Sequence, residues 1–154
     1  MDTSGVIQLV VLFILIFLSG FFSSAETAFS TVNRVRMRAL EEDGNKRAAK
    51  VNKILDKYSK MISTILIGNN IVNLSASALA TTLALRISVP VGIATGVLTV
   101  VVLICGEILP KTWAVLYSEK LSLLYCNIIY LLMYILTPVI FIVNVISNGF
   151  LRLL

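Results

Sequence analysis

Hydrophobic and polar positions along the chain alternate as four long apolar stretches separated by short polar ones. The first, Val6 to Phe22, follows directly on Met1-Asp2-Thr3-Ser4-Gly5. A helical pattern continues from it through Ser23-Ser24-Ala25-Glu26-Thr27-Ala28-Phe29-Ser30 to a basic cluster. A helix of that length exceeds the ~20 residues needed to cross a ~30 Å hydrocarbon core. No basic segment precedes it, so it reads as a retained span and not as a signal peptide. Between Val32 and Tyr58, Val35, Leu40, Ala48, Val51, Ile54 and Leu55 recur at mixed three- and four-residue steps, interrupted at Asp43-Gly44-Asn45. Two short amphipathic helices on the membrane surface fit this pattern.

A second span runs from Met61 to Leu85, and Arg86, Pro90 and Gly92 mark the turn after it. The third runs from Val91 to Tyr117 and is interrupted at Gly106-Glu107-Ile108-Leu109-Pro110, where proline removes a backbone donor and kinks the helix. As one straight helix the last stretch, Leu121 to Leu151, would reach about 46 Å, rather more than a ~30 Å core needs. Pro138 lies near its middle, which favours a broken hairpin with both ends on one side over a kinked fourth span. The expected fold is a single all-α integral membrane domain over residues 1–154, with spans at about 5–32, 60–86 and 91–118. Cytoplasmic amphipathic helices and a juxtamembrane, belt-like hairpin at about 120–152 complete it.

Composition agrees: 58% of the 154 residues are apolar and mean hydropathy is +0.94, so water is not the main solvent. Charged residues make up 14%, and Arg34, Arg36, Arg38, Lys46, Arg47, Lys50, Lys53, Lys57 and Lys60 fall in one segment. A basic patch pinned between hydrophobic runs reads as a cytoplasmic loop and not as a nucleic-acid surface. The N-terminus is then outside and the C-terminus cytoplasmic, in a multi-pass protein of the plasma (inner) membrane. Cys105 and Cys126 lie in apolar runs as small buried hydrophobes. With no histidine and no Cys-x-x-Cys, zinc, haem and iron–sulfur chemistry lack ligands.

Three ionisable groups interrupt the apolar runs: Glu26, Glu107 and Lys111. A charge at membrane depth costs about 2.5–3.5 kcal/mol on insertion scales, so each is a functional candidate. The structural alternative pairs the carboxylates with Lys111 or with facing serines. Lys111 either offsets Glu107, one turn away, or snorkels to the interface. Ser19, Ser23, Glu26, Thr27 and Ser30 follow three- and four-residue steps on one helix face, and the second span offers Asn69, Asn70 and Asn73. Ser75 and Ser77 read as contacts between helices. Carboxylate, amide, hydroxyl and backbone-carbonyl oxygens without good nitrogen or sulfur donors suit a hard cation: Mg²⁺, Ca²⁺ or Na⁺. An enzyme is not expected, because the only nucleophile pairing on offer is Ser23 or Ser24 with Lys111.

Three motifs, Ser19-Gly20-Phe21-Phe22-Ser23-Ser24-Ala25-Glu26-Thr27-Ala28, Ile67-Gly68-Asn69-Asn70-Ile71-Val72-Asn73 and Gly106-Glu107-Ile108-Leu109-Pro110-Lys111, stand in one order along the chain. Together they resemble the membrane domain of the CorC and cyclin M (CNNM) family of Mg²⁺ transporters. The resemblance covers essentially the whole chain. It implies a homodimer that exports Mg²⁺ in exchange for Na⁺, with a Mg²⁺ site in each protomer. Ser23, Ser24, Asn70, Asn73 and Glu107 match that site, together with carbonyls near Gly106 and Pro110. Glu26 and Asn69 are neighbouring candidates, and the motifs do not choose within each pair. Family members also carry a cytoplasmic pair of CBS modules, whereas this sequence stops at Leu154 and reads as one piece of such a protein. The alternative function is a membrane Mg²⁺ sensor or scaffold that anchors cytoplasmic domains without transporting.

The hairpin expectation is checked by topology. Single cysteines at Lys120 and Arg152, without Cys105 and Cys126, should both be protected from an impermeant maleimide in intact cells. Outside labelling of position 152 alone would establish a fourth span.

Overall fold

The computed structural model describes residues 2–154, and every described element is helical. Helix α1 (Thr3–Thr31) is uninterrupted because its run contains no proline and its glycines are isolated. It ends where Val32 and Asn33 turn extended. The Asn33 side chain then accepts from the Arg36 amide and starts α2 (Arg34–Glu42). Gly44, at φ +92°, provides the left-handed residue that ends α2. Asn45 accepts from the Arg47 and Ala48 amides and starts α3 (Lys46–Asp56). After a break at Lys57, α4 (Tyr58–Arg86) runs back along α1. The third span is built of α5 (Val91–Val101), a π-helical segment (Val102–Ile108) and α6 (Leu109–Leu116), followed by α7 (Ser118–Ile135) and α8 (Thr137–Leu153).

Among the described residues three helices are long and apolar enough to cross a bilayer, α1, α4 and the composite Val91–Leu116, and the bent pair α7–α8 makes a fourth if it is counted as one span. Their outward positions carry large apolar side chains such as Phe17, Leu74 and Leu116, which suits a lipid environment. With the two amphipathic helices between the first and second spans, this is the all-α membrane domain that the pattern predicts. The C-terminal pair is broken at Leu136, and Pro138 occupies the second position of α8 and not the bend itself. The chain changes direction there by 64°, so the pair is an open bend whose arms do not lie antiparallel.

The apolar core gathers at the basic end of the bundle. Phe22, Ala25 and Phe29 of α1 meet Met61 and Ile65 of α4, Val51 and Ile54 of α3, and Cys126, Ile129 and Met133 of α7. On α7 the buried positions Ser122, Cys126, Ile129 and Met133 follow helical steps of four and three, giving one inward stripe. Burial pushes the Cys126 thiol above its ordinary range, opposed by the charges of Lys50 and Arg47, which keeps it an inert hydrophobe. Polar contacts tie the surface helices to the same platform. Arg36 pairs with Glu119 at 2.6 Å, and Lys50 donates to Asn127 at 2.8 Å and lies over the Tyr130 ring.

Close approach of α1 and α4 depends on Gly68, where an added Cβ would lie 2.5 Å from the buried Phe22 ring. Gly68→Ala is therefore expected to destabilise the fold by about 1–3 kcal/mol, as overpacking does. The added change Phe22→Leu should recover part of that loss. Unfolding in detergent checks both, and an unchanged midpoint for Gly68→Ala would show that the helix spacing does not rest on this glycine.

Candidate metal site

Polar side chains from α1, α4 and the third span converge because lipid offers them no partner. The junction is tight. An added Cβ on Gly106 would lie 2.9 Å from Ser19 Oγ, and one on Gly20 would lie 3.2 Å from the Pro110 ring and 3.4 Å from the Cys105 carbonyl oxygen. Ser19 in turn donates to Asn69 Oδ1 at 3.4 Å, joining α1 to α4 at the level where the third span is irregular.

That irregularity has a chemical use. In the π-helical segment the Leu109 amide bonds to the Ile104 carbonyl, five residues back. Pro110 has no N–H, so the next carbonyl, Cys105 in this register or Gly106 in α-helical register, lacks its donor from the helix. One backbone oxygen next to Glu107 in the chain thereby lacks its helix donor.

Glu107 lines an open groove of about 220 Å³ between α4 and the third span, shared with Asn73, Ser77, Thr95 and Thr99. Among the described residues no cation pairs with it. Asn73 Oδ1 is buried and has no hydrogen-bond donor, and the same holds for Ser23 Oγ on α1. Buried polar atoms without partners are rare enough to require a cause. An acceptor oxygen in the same groove as a free carboxylate is what a bound cation would satisfy.

The remaining candidates take other positions. Glu26 pairs with Lys111 at 3.5 Å, so the lysine serves the first-span carboxylate and not Glu107. Ser24 donates to Phe21 O at 2.9 Å, and its oxygen lies 3.2 Å from the Tyr125 hydroxyl, turning toward α7. Asn69 is the acceptor for Ser19, whereas Asn70 lies on the exposed side of α4. Gly106 and Pro110 form the close packing against α1. Ser77, expected as a helix contact, lines the groove together with Thr95 and Thr99. The two threonines escape sequence reading because a four-residue threonine step in an apolar run also fits a neutral helix surface. No cluster of three or more acidic or cysteine ligands occurs among the described residues. The donor set is one free carboxylate among neutral oxygens, which matches Mg²⁺ held through one or two carboxylates while it keeps several waters.

A family profile described as the Cyclin M transmembrane N-terminal domain matches residues 10–154. A UPF0053 protein of Haemophilus influenzae is 40% identical over 146 residues, covering 94% of this chain and 35% of its own length. The UPF0053 inner membrane protein YfjD of Escherichia coli is 40% identical over 139 residues, covering 89% of this chain and 32% of its own length. A DUF21 domain-containing chloroplastic protein of Arabidopsis thaliana is 35% identical over 149 residues, or 96% of this chain and 23% of the relative. The chain thus spans about a third or less of these relatives.

The Glu26–Lys111 contact predicts coupled mutations. Lys111→Met and Glu26→Gln should each destabilise the domain, and the double variant should be less destabilised than their sum by about 0.5–1 kcal/mol. Strict additivity in detergent unfolding would mean that the pair contributes nothing.

Proposed function

This chain belongs to the cyclin M transmembrane family, and from that premise we propose that it carries Mg²⁺ across the membrane by a secondary-active mechanism coupled to Na⁺. The observation that supports the reading best is the unpaired Glu107 carboxylate in one groove with the donorless Asn73 carbonyl. Glu107 supplies the charge that offsets partial dehydration of a divalent ion. Asn73, Ser23 and the carbonyls released near Gly106 and Pro110 replace some of its water with neutral oxygens.

In this reading the basic loop holding α2 and α3 is cytoplasmic, the N-terminus is outside, and α7 and α8 form a belt at the inner surface. Two copies assemble as a homodimer, and CBS modules elsewhere in the whole protein bind nucleotide and bias the two access states. Na⁺, also a hard cation, moves inward as Mg²⁺ moves outward, so the sodium gradient supplies the driving force.

Proteoliposomes loaded with Mg²⁺ test the proposal. Efflux should rise when a Na⁺ gradient is imposed and vanish in Glu107→Gln, which keeps shape but removes charge. In the same variant Mg²⁺ affinity by calorimetry should fall at least about tenfold, or ~1.4 kcal/mol. Binding without flux in the parent protein would make it a sensor or scaffold, and unchanged affinity in Glu107→Gln would remove Glu107 from the site.

A further inference from the structure

The groove at Glu107 does not end there. It continues along the third span to Thr95, one turn inside the start of α5, at the end of the bundle where Arg86 and the α4–α5 turn lie. Polar side chains stand at matching steps on its two walls, Asn73 and Ser77 one turn apart on α4 and Thr95 and Thr99 one turn apart on α5, with Leu98, Val102 and Leu103 completing the lining. In the opposite direction the space is filled. Gly20 packs on Pro110, Glu26 holds Lys111, and Phe22, Phe29, Met61 and Ile65 close the core. α5 buries no residue, so this half of the bundle is loose where the basic half is dense.

The threonine hydroxyls are also oriented in a particular way. Thr99 Oγ1 donates its proton to Thr95 O at 2.7 Å, and Thr95 Oγ1 donates to Val91 O at 2.9 Å, each within its own helix. A hydroxyl has one proton and two lone pairs, so these oxygens are left as acceptors only. Neither bonds across to α4, as serine or threonine joining two helices would. Water molecules around a cation turn their hydrogens outward and need acceptors of this kind. The groove, open along its length and about 220 Å³ in volume, has room for several water molecules.

We propose that this groove is the route by which a partly hydrated Mg²⁺ passes between Glu107 and the membrane face at the Arg86 end, with Thr95 and Thr99 accepting hydrogen bonds from its water shell. The inference rests on the cation-transport reading and adds the path and its direction.

Single cysteines test it, placed at Thr95, Thr99 and, as a lipid-side control, Val97, which is 60% exposed. The background carries Cys105→Ser and Cys126→Ala in the full chain reconstituted into liposomes. A cationic, impermeant methanethiosulfonate reagent should modify Thr95→Cys and Thr99→Cys about tenfold faster than Val97→Cys, because the reacting thiolate forms only in contact with water. Saturating Mg²⁺ should slow Thr99→Cys about fivefold by occupying the route, and Glu107→Gln should abolish that protection. Equal rates at all three positions would overturn the route. So would a Thr99→Cys rate indifferent to Mg²⁺ in protein that calorimetry shows to bind it. If the parent chain binds no Mg²⁺ at all, the cation-transport reading falls and the route falls with it.

Discussion

A bilayer cannot solvate a peptide carbonyl, an amide side chain or a carboxylate, and the helix packing follows from where these groups stand along the spans. Most outward positions on α1, α4 and the third span are apolar, Asn70 and Ser75 on α4 being exceptions, whereas Ser19, Ser23, Asn69, Asn73 and Glu107 point inward or into the groove. Hydrophobic burial cannot drive association between helices already in lipid. Close packing at Gly20, Gly68 and Gly106 does so instead, and it brings the polar groups together. The small residues that let the helices approach are therefore also what builds the candidate site.

The irregular third span is the second consequence. A regular helix would keep every carbonyl occupied and present nothing but side chains. The π-helical segment with Pro110 at its end exposes backbone oxygen at the depth of Glu107 without breaking the span. The close contact of Gly106 with Ser19 and of Pro110 with Gly20 holds that strain-prone stretch against α1. Charge is handled separately: Lys111 pairs with Glu26, and among the described residues no cation pairs with Glu107.

Function also divides the molecule by density. At the basic end α2, α3 and α7 assemble on the ends of α1 and α4 and bury a continuous apolar core with them. At the other end α4 and α5 lie side by side, with an open groove between them lined by Asn73, Ser77, Thr95 and Thr99 and by Leu98, Val102 and Leu103. The two ends of the bundle therefore differ in how completely their side chains are buried.

The sequence alone determined the class of the protein, its three apolar helices of spanning length and the two amphipathic helices. Apolar length, local periodicity and the cost of intramembrane charge all act within one helix and are visible in one dimension. Membership in the family was legible for the same reason, since three contiguous motifs carry it. Tertiary structure alone decided the partners. Lys111 lies one turn from Glu107 in the chain yet reaches Glu26, Ser24 turns to Tyr125, and Asn73 joins Glu107 while Asn70 faces outward. Ser77, Thr95 and Thr99 became part of a groove only once α4 and α5 were set side by side. Those choices depend on helix rotation and spacing, which packing at a few glycines decides and which no single-helix pattern encodes.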